Sequence, residues 1–224
     1  MLIHQKYMDM LKDKKEQDAF ECDIFEYHFI LEDSETSISK ISVNKDDDIF
    51  DEMKEKIIDS LSKLNAPLGK YAVSGNHDYS FEGYEDLITR CGFTYLENES
   101  KLIYFKDNDP IEIVGYADER EDNPNYDIEL SNYYKIGLIH EGDSFEHIKD
   151  KDFNLVLAGH SHGGQVRLPF IGAIATVDGG KKYYEEHYTY NNTELYINFG
   201  LGEVEFKLRA FNKPSVNLYR LYNK

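Results

Sequence analysis

Residues 155–165, Leu-Val-Leu-Ala-Gly-His-Ser-His-Gly-Gly-Gln, constrain this chain more than any other stretch: a short apolar run opens into a glycine-flanked pair of histidines. Leu155 to Ala158 is too short for a stable helix and has no polar alternation, so it reads as a strand covered on both faces. Gly159, Gly163 and Gly164 let the following backbone turn tightly and approach a ligand closely. Two imidazoles one residue apart on such a loop, His160 and His162, can each give a nitrogen to one of two neighbouring ions. Taken alone, the H-x-H reads more simply as polar residues at a sharp turn.

Two further segments repeat the layout. Lys70-Tyr71-Ala72-Val73-Ser74-Gly75-Asn76-His77-Asp78 is a short strand ending in G-N-H-D, and Ile136-Gly137-Leu138-Ile139-His140-Glu141 is an apolar run ending in histidine. Parallel strands with such ends gather their terminal side chains at the carboxyl edge of one sheet, where open α/β folds bind ligands. G-N-H-D, a strand-terminal His and G-H-S-H, in that order, resemble the calcineurin-like metallophosphoesterase superfamily. The wider text, "PLGKYAVSGNHDY", "GLIHEGDSF", "LVLAGHSHGGQVRLPF" and "RAFNKP", is similar to its bacterial phosphodiesterase branch, which includes UDP-2,3-diacylglucosamine hydrolases. The likeness runs roughly from Leu64 to the C-terminus and fades before Asp46.

The resemblance implies an α/β fold, a two-sheet αββα sandwich with helices outside, built as one domain over residues 1–224 with a divergent, atypical N-terminal part at 1–45. It implies a phosphodiesterase with Asn76, His140 and His160 on one metal and His162 on the other. His77 would touch the phosphate or protonate the leaving oxygen, oriented by Asp78. Oxygen and imidazole ligands without thiolate suit one or two divalent ions, Mn, Fe, Zn or Mg, and do not choose among them. Two such cations would share a hydroxide and clamp the phosphoryl oxygens during in-line attack.

Two family motifs, D-x-H and G-D-x-x-D, are absent as written. His4 could take the histidine place of the first, but its aspartate partner falls on Leu2. Asp47-Asp48-Ile49-Phe50-Asp51 matches the second with its glycine replaced, making Asp48 the carboxylate that bridges the metals. Equally, an acidic run opening a helix is favoured by the macrodipole with no metal involved. Three readings follow: a working enzyme whose lost ligands are replaced by Asp48, His4, Asp23 or His28; a single-metal or metal-free relative that binds a phosphorylated ligand without turnover; or a truncated product whose true start lies upstream.

A length of 224 residues suits one substantial core. The formal charge of −18 and pI near 4.8 exclude a duplex nucleic-acid partner, which needs clustered Lys and Arg. A small phosphorylated substrate remains compatible where bound metals invert the local field, and the resemblance extends this to a lipid-linked one. Cys22 and Cys91 form neither a disulfide framework nor a thiolate site and read as buried free thiols of a reducing compartment. The first thirty residues lack the apolar core of a signal peptide or membrane span, so the expectation is a cytoplasmic protein, with peripheral membrane association compatible.

Along the chain, residues 4–18 carry a weak helical pattern, Phe25 to Leu31 alternate as a half-buried strand, "EDSETS" turns, and Ile41 with Val43 suggests a short strand. Phe50, Met53, Ile57, Leu61 and Leu64 recur at helical spacing until Asn65 and Pro67 stop it. A helix follows around Glu85 to Arg90, then strands at Phe93–Leu96, Leu102–Phe105 and Ile111–Gly115. Tyr116 to Asn132 is a long polar loop, of the kind that is either functional or disordered. Near the end, Tyr188 and Tyr190 face Tyr196 and Phe199 across "NNTE", before strands at Phe206–Leu208 and Val216–Tyr222.

Overall fold

A computed structural model describes residues 22–26, 47–106, 108–202 and 208–221. Along these run β1 (Cys22–Glu26), α1 (Asp47–Ser62), β2 (Tyr71–Ala72), α2 (Tyr84–Arg90), β3 (Thr94–Tyr95), β4 (Glu99–Ile103), β5 (Ile111–Gly115) and β6 (Tyr134–Leu138). They are followed by α3 (Phe145–Ile148), β7 (Leu155–Ala158), β8 (Arg167–Leu168), β9 (Gly172–Ala173), β10 (His187–Tyr190), β11 (Thr193–Ile197) and β12 (Asn217–Leu221). Two compact units result, Met1–Phe25 with Asn217–Lys224, and Glu26–Val216. In the smaller one, β1 pairs with β12.

The larger unit is α/β. Its sheet has the order β10-β11-β7-β6-β5-β4, parallel from β11 through β5 and antiparallel at both edges. β5 and β7 are buried at every position, as strands covered on both faces are; β7 is an unbroken apolar run, and in β5 the one carboxylate, Glu112, accepts from Ser131 N and Oγ at 2.8 Å. Phe145, Ile148, Phe153, Val156, Leu195 and Ile197 form the main core. A second cluster joins Leu61, Phe81, Leu87 and Cys91, where α1 packs on α2. Cys91 is a buried free thiol, as the cysteine usage predicts.

β2 and β3 make a separate parallel pair set against the end of β5: a Cβ on Gly115 would come within 2.4 Å of the Leu96 Cβ and 2.9 Å of Val73 Cγ1. This close approach places the G-N-H-D turn beside the carboxyl ends of the large sheet. Backbone pairing continues past those ends, from Tyr116 N to Leu138 O, Ile139 N to Leu157 O and Asn198 N to Ala158 O. One edge therefore gathers the residues that follow β5, β6, β7 and β11.

Three expectations shift. β4 begins at Glu99 rather than Leu102, because its exposed edge positions carry no alternation and pairing with β5 sets its register. The terminal hairpin turns on Asn191 and Asn192, with Asn191 at φ 52°. Tyr188 then opposes Leu195 and Tyr190 opposes Thr193, while Tyr196 pairs with His187. The long polar loop is ordered: Asn98 Oδ1 accepts from Ala117 N and Asn125 N, and Tyr126 stacks on His147 at 4.6 Å. Residues 4–18, "EDSETS", Ile41, Val43, His4, His28 and Phe206 lie outside the described residues.

Candidate metal centre

β7 delivers its histidines through a strained loop. Ser161 is right-handed, but His160 and His162 on either side of it have φ of 61° and 49°, followed by Gly163 at 59°, Gly164 at 75° and Gln165 at 50°. Non-glycine residues at positive φ are uncommon and concentrate at ligand sites. The backbone holds itself by Gly164 N to Ser161 O and Gln165 N to His162 O, and the Ser161 hydroxyl accepts from Gly163 N. At the other corner, Asp78 Oδ2 accepts from Gly75 N at 2.8 Å and closes the G-N-H-D turn.

The result is a convergence of acceptors. Asn76 Oδ1 lies 3.0 Å from His140 Nε2, and His160 Nδ1 lies 3.1 Å from the same nitrogen. His160 Nε2 sits 2.7 Å from the Asp178 carbonyl oxygen, so it must carry the proton and donate. Nδ1 is thereby left as a lone pair aimed at His140, an arrangement in which a carbonyl fixes the tautomer of a ligating imidazole. Burial also lowers the His160 pKa and keeps the ring neutral, the state that binds cations.

A carboxyl pair lies alongside. Glu141, 2% exposed, is drawn close to His140 and His160, with one ligand atom from each of the three within 4.8 Å of the others. Burial, then the charge and hydrogen bond of Asp118, push the Glu141 carboxyl up to about 8. Asp118 is fully buried and its Oδ1 accepts from Arg120 N and Glu121 N. Burial is the larger cause, and the neighbouring carboxylate adds to it.

The other sequence-predicted residues are placed differently. His77 is exposed at the turn. Asp78 faces the turn backbone. His162 is 5% exposed, its Nδ1 is 3.2 Å from Arg209 Nη2, and its carbonyl accepts from Asn212 Nδ2 at 2.6 Å. Asp48 falls in the first turn of α1 and Asp23 in β1; both side chains lie outside the described residues.

Over 212 residues the chain is 38% identical to the metallophosphoesterase YkuE of Bacillus subtilis, covering 87% of this chain and 74% of that protein. The chain belongs to the metallophosphoesterases. It is also 30% identical over 173 residues to the phosphodiesterase YaeI of Escherichia coli, covering 73% of this chain and 62% of YaeI. To the UDP-2,3-diacylglucosamine pyrophosphatase LpxG of Chlamydia muridarum it is 24% identical over 231 residues, covering 75% of this chain and 69% of LpxG. No family model and no solved structure matches it.

The acceptors of this metallophosphoesterase fit a divalent cation. Asn76 Oδ1, His140 Nε2 and His160 Nδ1 converge, and one proton on His140 Nε2 cannot serve both of its neighbours fully, whereas a cation is served by all three lone pairs. Sequence reasoning missed the Asp178 carbonyl, which leaves no trace in residue identity. It also missed Glu141 and Asp118 as a pair, although Glu141 directly follows His140 and could have been weighed. Arg209 and Asn212 stood inside the quoted "RAFNKP" but were assigned no role.

Proposed function

We propose that this metallophosphoesterase is a metal-dependent phosphodiesterase acting on a small phosphorylated substrate, with Asn76, His140 and His160 as ligands to a divalent cation. The convergence of those three acceptors, with the His160 tautomer held by Asp178, carries the reading. A bound divalent cation supplies Lewis acidity to the phosphoryl oxygens and acidifies a water. The chain contributes the positions: the strained loop aims His160 and the Asp78-closed turn aims Asn76; on this reading His77, exposed at the turn, gives a proton to the leaving oxygen. Glu141, protonated near neutral pH beside Asp118, adds little negative charge of its own. Similarity to LpxG supports a lipid-linked phosphoryl compound as the substrate class.

A second reading has one observation in its favour. Arg209 donates to His162 Nδ1, so that nitrogen is not offered to a second cation, which favours a protein that holds one cation and binds its phosphorylated ligand without turnover. Hydrolysis of bis(p-nitrophenyl) phosphate with added Mn²⁺ separates the two. The phosphodiesterase reading expects turnover that Asn76→Ala and His160→Ala each abolish. Folded protein inactive with Mn²⁺, Zn²⁺ and Mg²⁺ would leave the binding reading.

A further inference from the structure

His160 owes its tautomer to the backbone carbonyl of Asp178, and a carbonyl is only as fixed as the chain that carries it. The Asp178 side chain is turned to Lys181 Nζ, 2.6 Å away, with both groups exposed. Its backbone sits in a turn, Val177–Gly180, closed by Gly180 N to Val177 O, with Gly179 third at φ 87°, a place that favours glycine.

Both glycines press on the candidate site. A Cβ on Gly179 would come within 2.6 Å of Glu141 Cγ and 3.4 Å of His160 Cδ2, and one on Gly180 within 2.7 Å of Ser161 Cβ. The turn therefore meets a hard stop on the side of the histidine loop. To hold the Asp178 carbonyl in place, something must keep it against that stop.

Asp143 supplies the restraint from 38 to 40 positions away. Its Oδ2 accepts from Lys181 N at 2.8 Å, its Oδ1 accepts from Lys182 N and Tyr183 N at 2.9 Å each, and its own N–H donates to Gly179 O at 2.9 Å. Backbone N–H groups that donate to a carboxylate make the stronger kind of hydrogen bond. Gly142 permits the approach, since a Cβ there would lie 2.4 Å from Tyr183 O. Past the grip, Tyr183 enters the core with its ring 5.4 Å from that of Phe145 and its hydroxyl donating to Glu146 Oε1. The motif His140-Glu141-Gly142-Asp143 thus begins with one candidate ligand and ends on the group that secures the backbone behind another.

We propose that Asp143 is a positioning residue for the metal centre: through residues 178–183 it holds the Asp178 carbonyl on His160 Nε2 and so keeps Nδ1 unprotonated and available to the cation. The inference rests on the reading of His160 as a ligand and deepens it.

Ring nitrogen chemical shifts of His160 in the metal-free protein, assigned by comparison with His160→Ala, report the tautomer. The wild type is expected to carry its proton on Nε2. Asp143→Ala is expected to move both nitrogens toward a mixture of tautomers and to weaken Mn²⁺ binding in calorimetric titration about tenfold, the scale seen when a partner behind a ligand is lost. Asp143→Asn retains one oxygen for Lys182 N and Tyr183 N; a smaller change in the same direction is expected, and it serves if the alanine variant does not fold. Thr193→Val, which removes a buried hydroxyl from Phe153 O before the start of β7, controls for lost stability and is expected to change neither quantity. Either a wild-type tautomer or a wild-type Mn²⁺ affinity in the folded variant would overturn the proposal. Failure of the ligand reading looks different: wild-type protein would bind Mn²⁺ no better than His160→Ala, and the ring shifts alone would then decide whether Asp143 sets the tautomer.

Discussion

Gly75 lies directly beneath the His140 ring: a Cβ built on it would come within 2.5 Å of Cε1 and 2.6 Å of Nδ1. The glycine of G-N-H-D is therefore required by a side chain 65 positions later, not by its own dihedral angles. Gly75→Ala is expected to displace the imidazole and lower metal-dependent phosphodiester hydrolysis about a hundredfold, the usual effect of a small misplacement of a positioned group. Calorimetric titration with Mn²⁺ should show weakened binding in parallel, and unchanged affinity would mean that His140 can reseat.

Asp78 secures the same turn from the other side, its Oδ2 accepting from Gly75 N and its own N–H donating to Gly75 O, both at 2.8 Å. Asp78→Ala should destabilise the protein by about 1–2 kcal/mol through the lost acceptor. Asp78→Asn, which retains a carbonyl oxygen there, should recover most of that loss in chemical denaturation.

The metal-free protein should lose stability as pH rises from about 4.5 to about 8. Within that window the folded chain retains a proton on Glu141 that the unfolded chain has released, so unfolding discharges it and the slope of stability against pH is negative. Thermal melts across the range would reveal the decline. Glu141→Gln, neutral at every pH, should flatten it.

Lys70 Nζ donates to Leu61 O at 3.1 Å and to Cys91 O at 2.5 Å, and it lies 4.8 Å from the centre of the Phe93 ring. One ammonium thus serves the carboxyl ends of both α1 and α2, where the macrodipole favours a cation. Lys70→Met preserves the aliphatic stem but strands both carbonyls, and should cost about 2 kcal/mol in denaturant unfolding while leaving Mn²⁺ affinity unchanged.

Strands buried on both faces were the most legible part of the chain. Ile111–Gly115 and Leu155–Ala158 have the expected bounds, because burial on both faces leaves a mostly apolar run, broken only by Glu112 in the first. β4 was misplaced because an exposed edge strand needs no such pattern. The hairpin register depended on a two-residue turn, and the spacing of tyrosines alone could not fix it. At the candidate site, Asn76, His140 and His160 were readable because each ends a strand. The Asp178 carbonyl was not, since a backbone acceptor can be offered by any residue type. Nor was the role of Arg209, which reaches His162 across 47 positions and no period of the sequence encodes.

The metal loop leans on chain that is made late. His162 is bonded by Arg209 and Asn212, Ala210 N and O bond to Gln165 O and Arg167 N, and β7 gains its second neighbour only when β11 arrives. On a ribosome, the histidines emerge well before the residues that shape their loop. On the proposed reading, cation capture would wait for those residues, and a nascent chain halted before Phe211 would expose G-H-S-H without its frame.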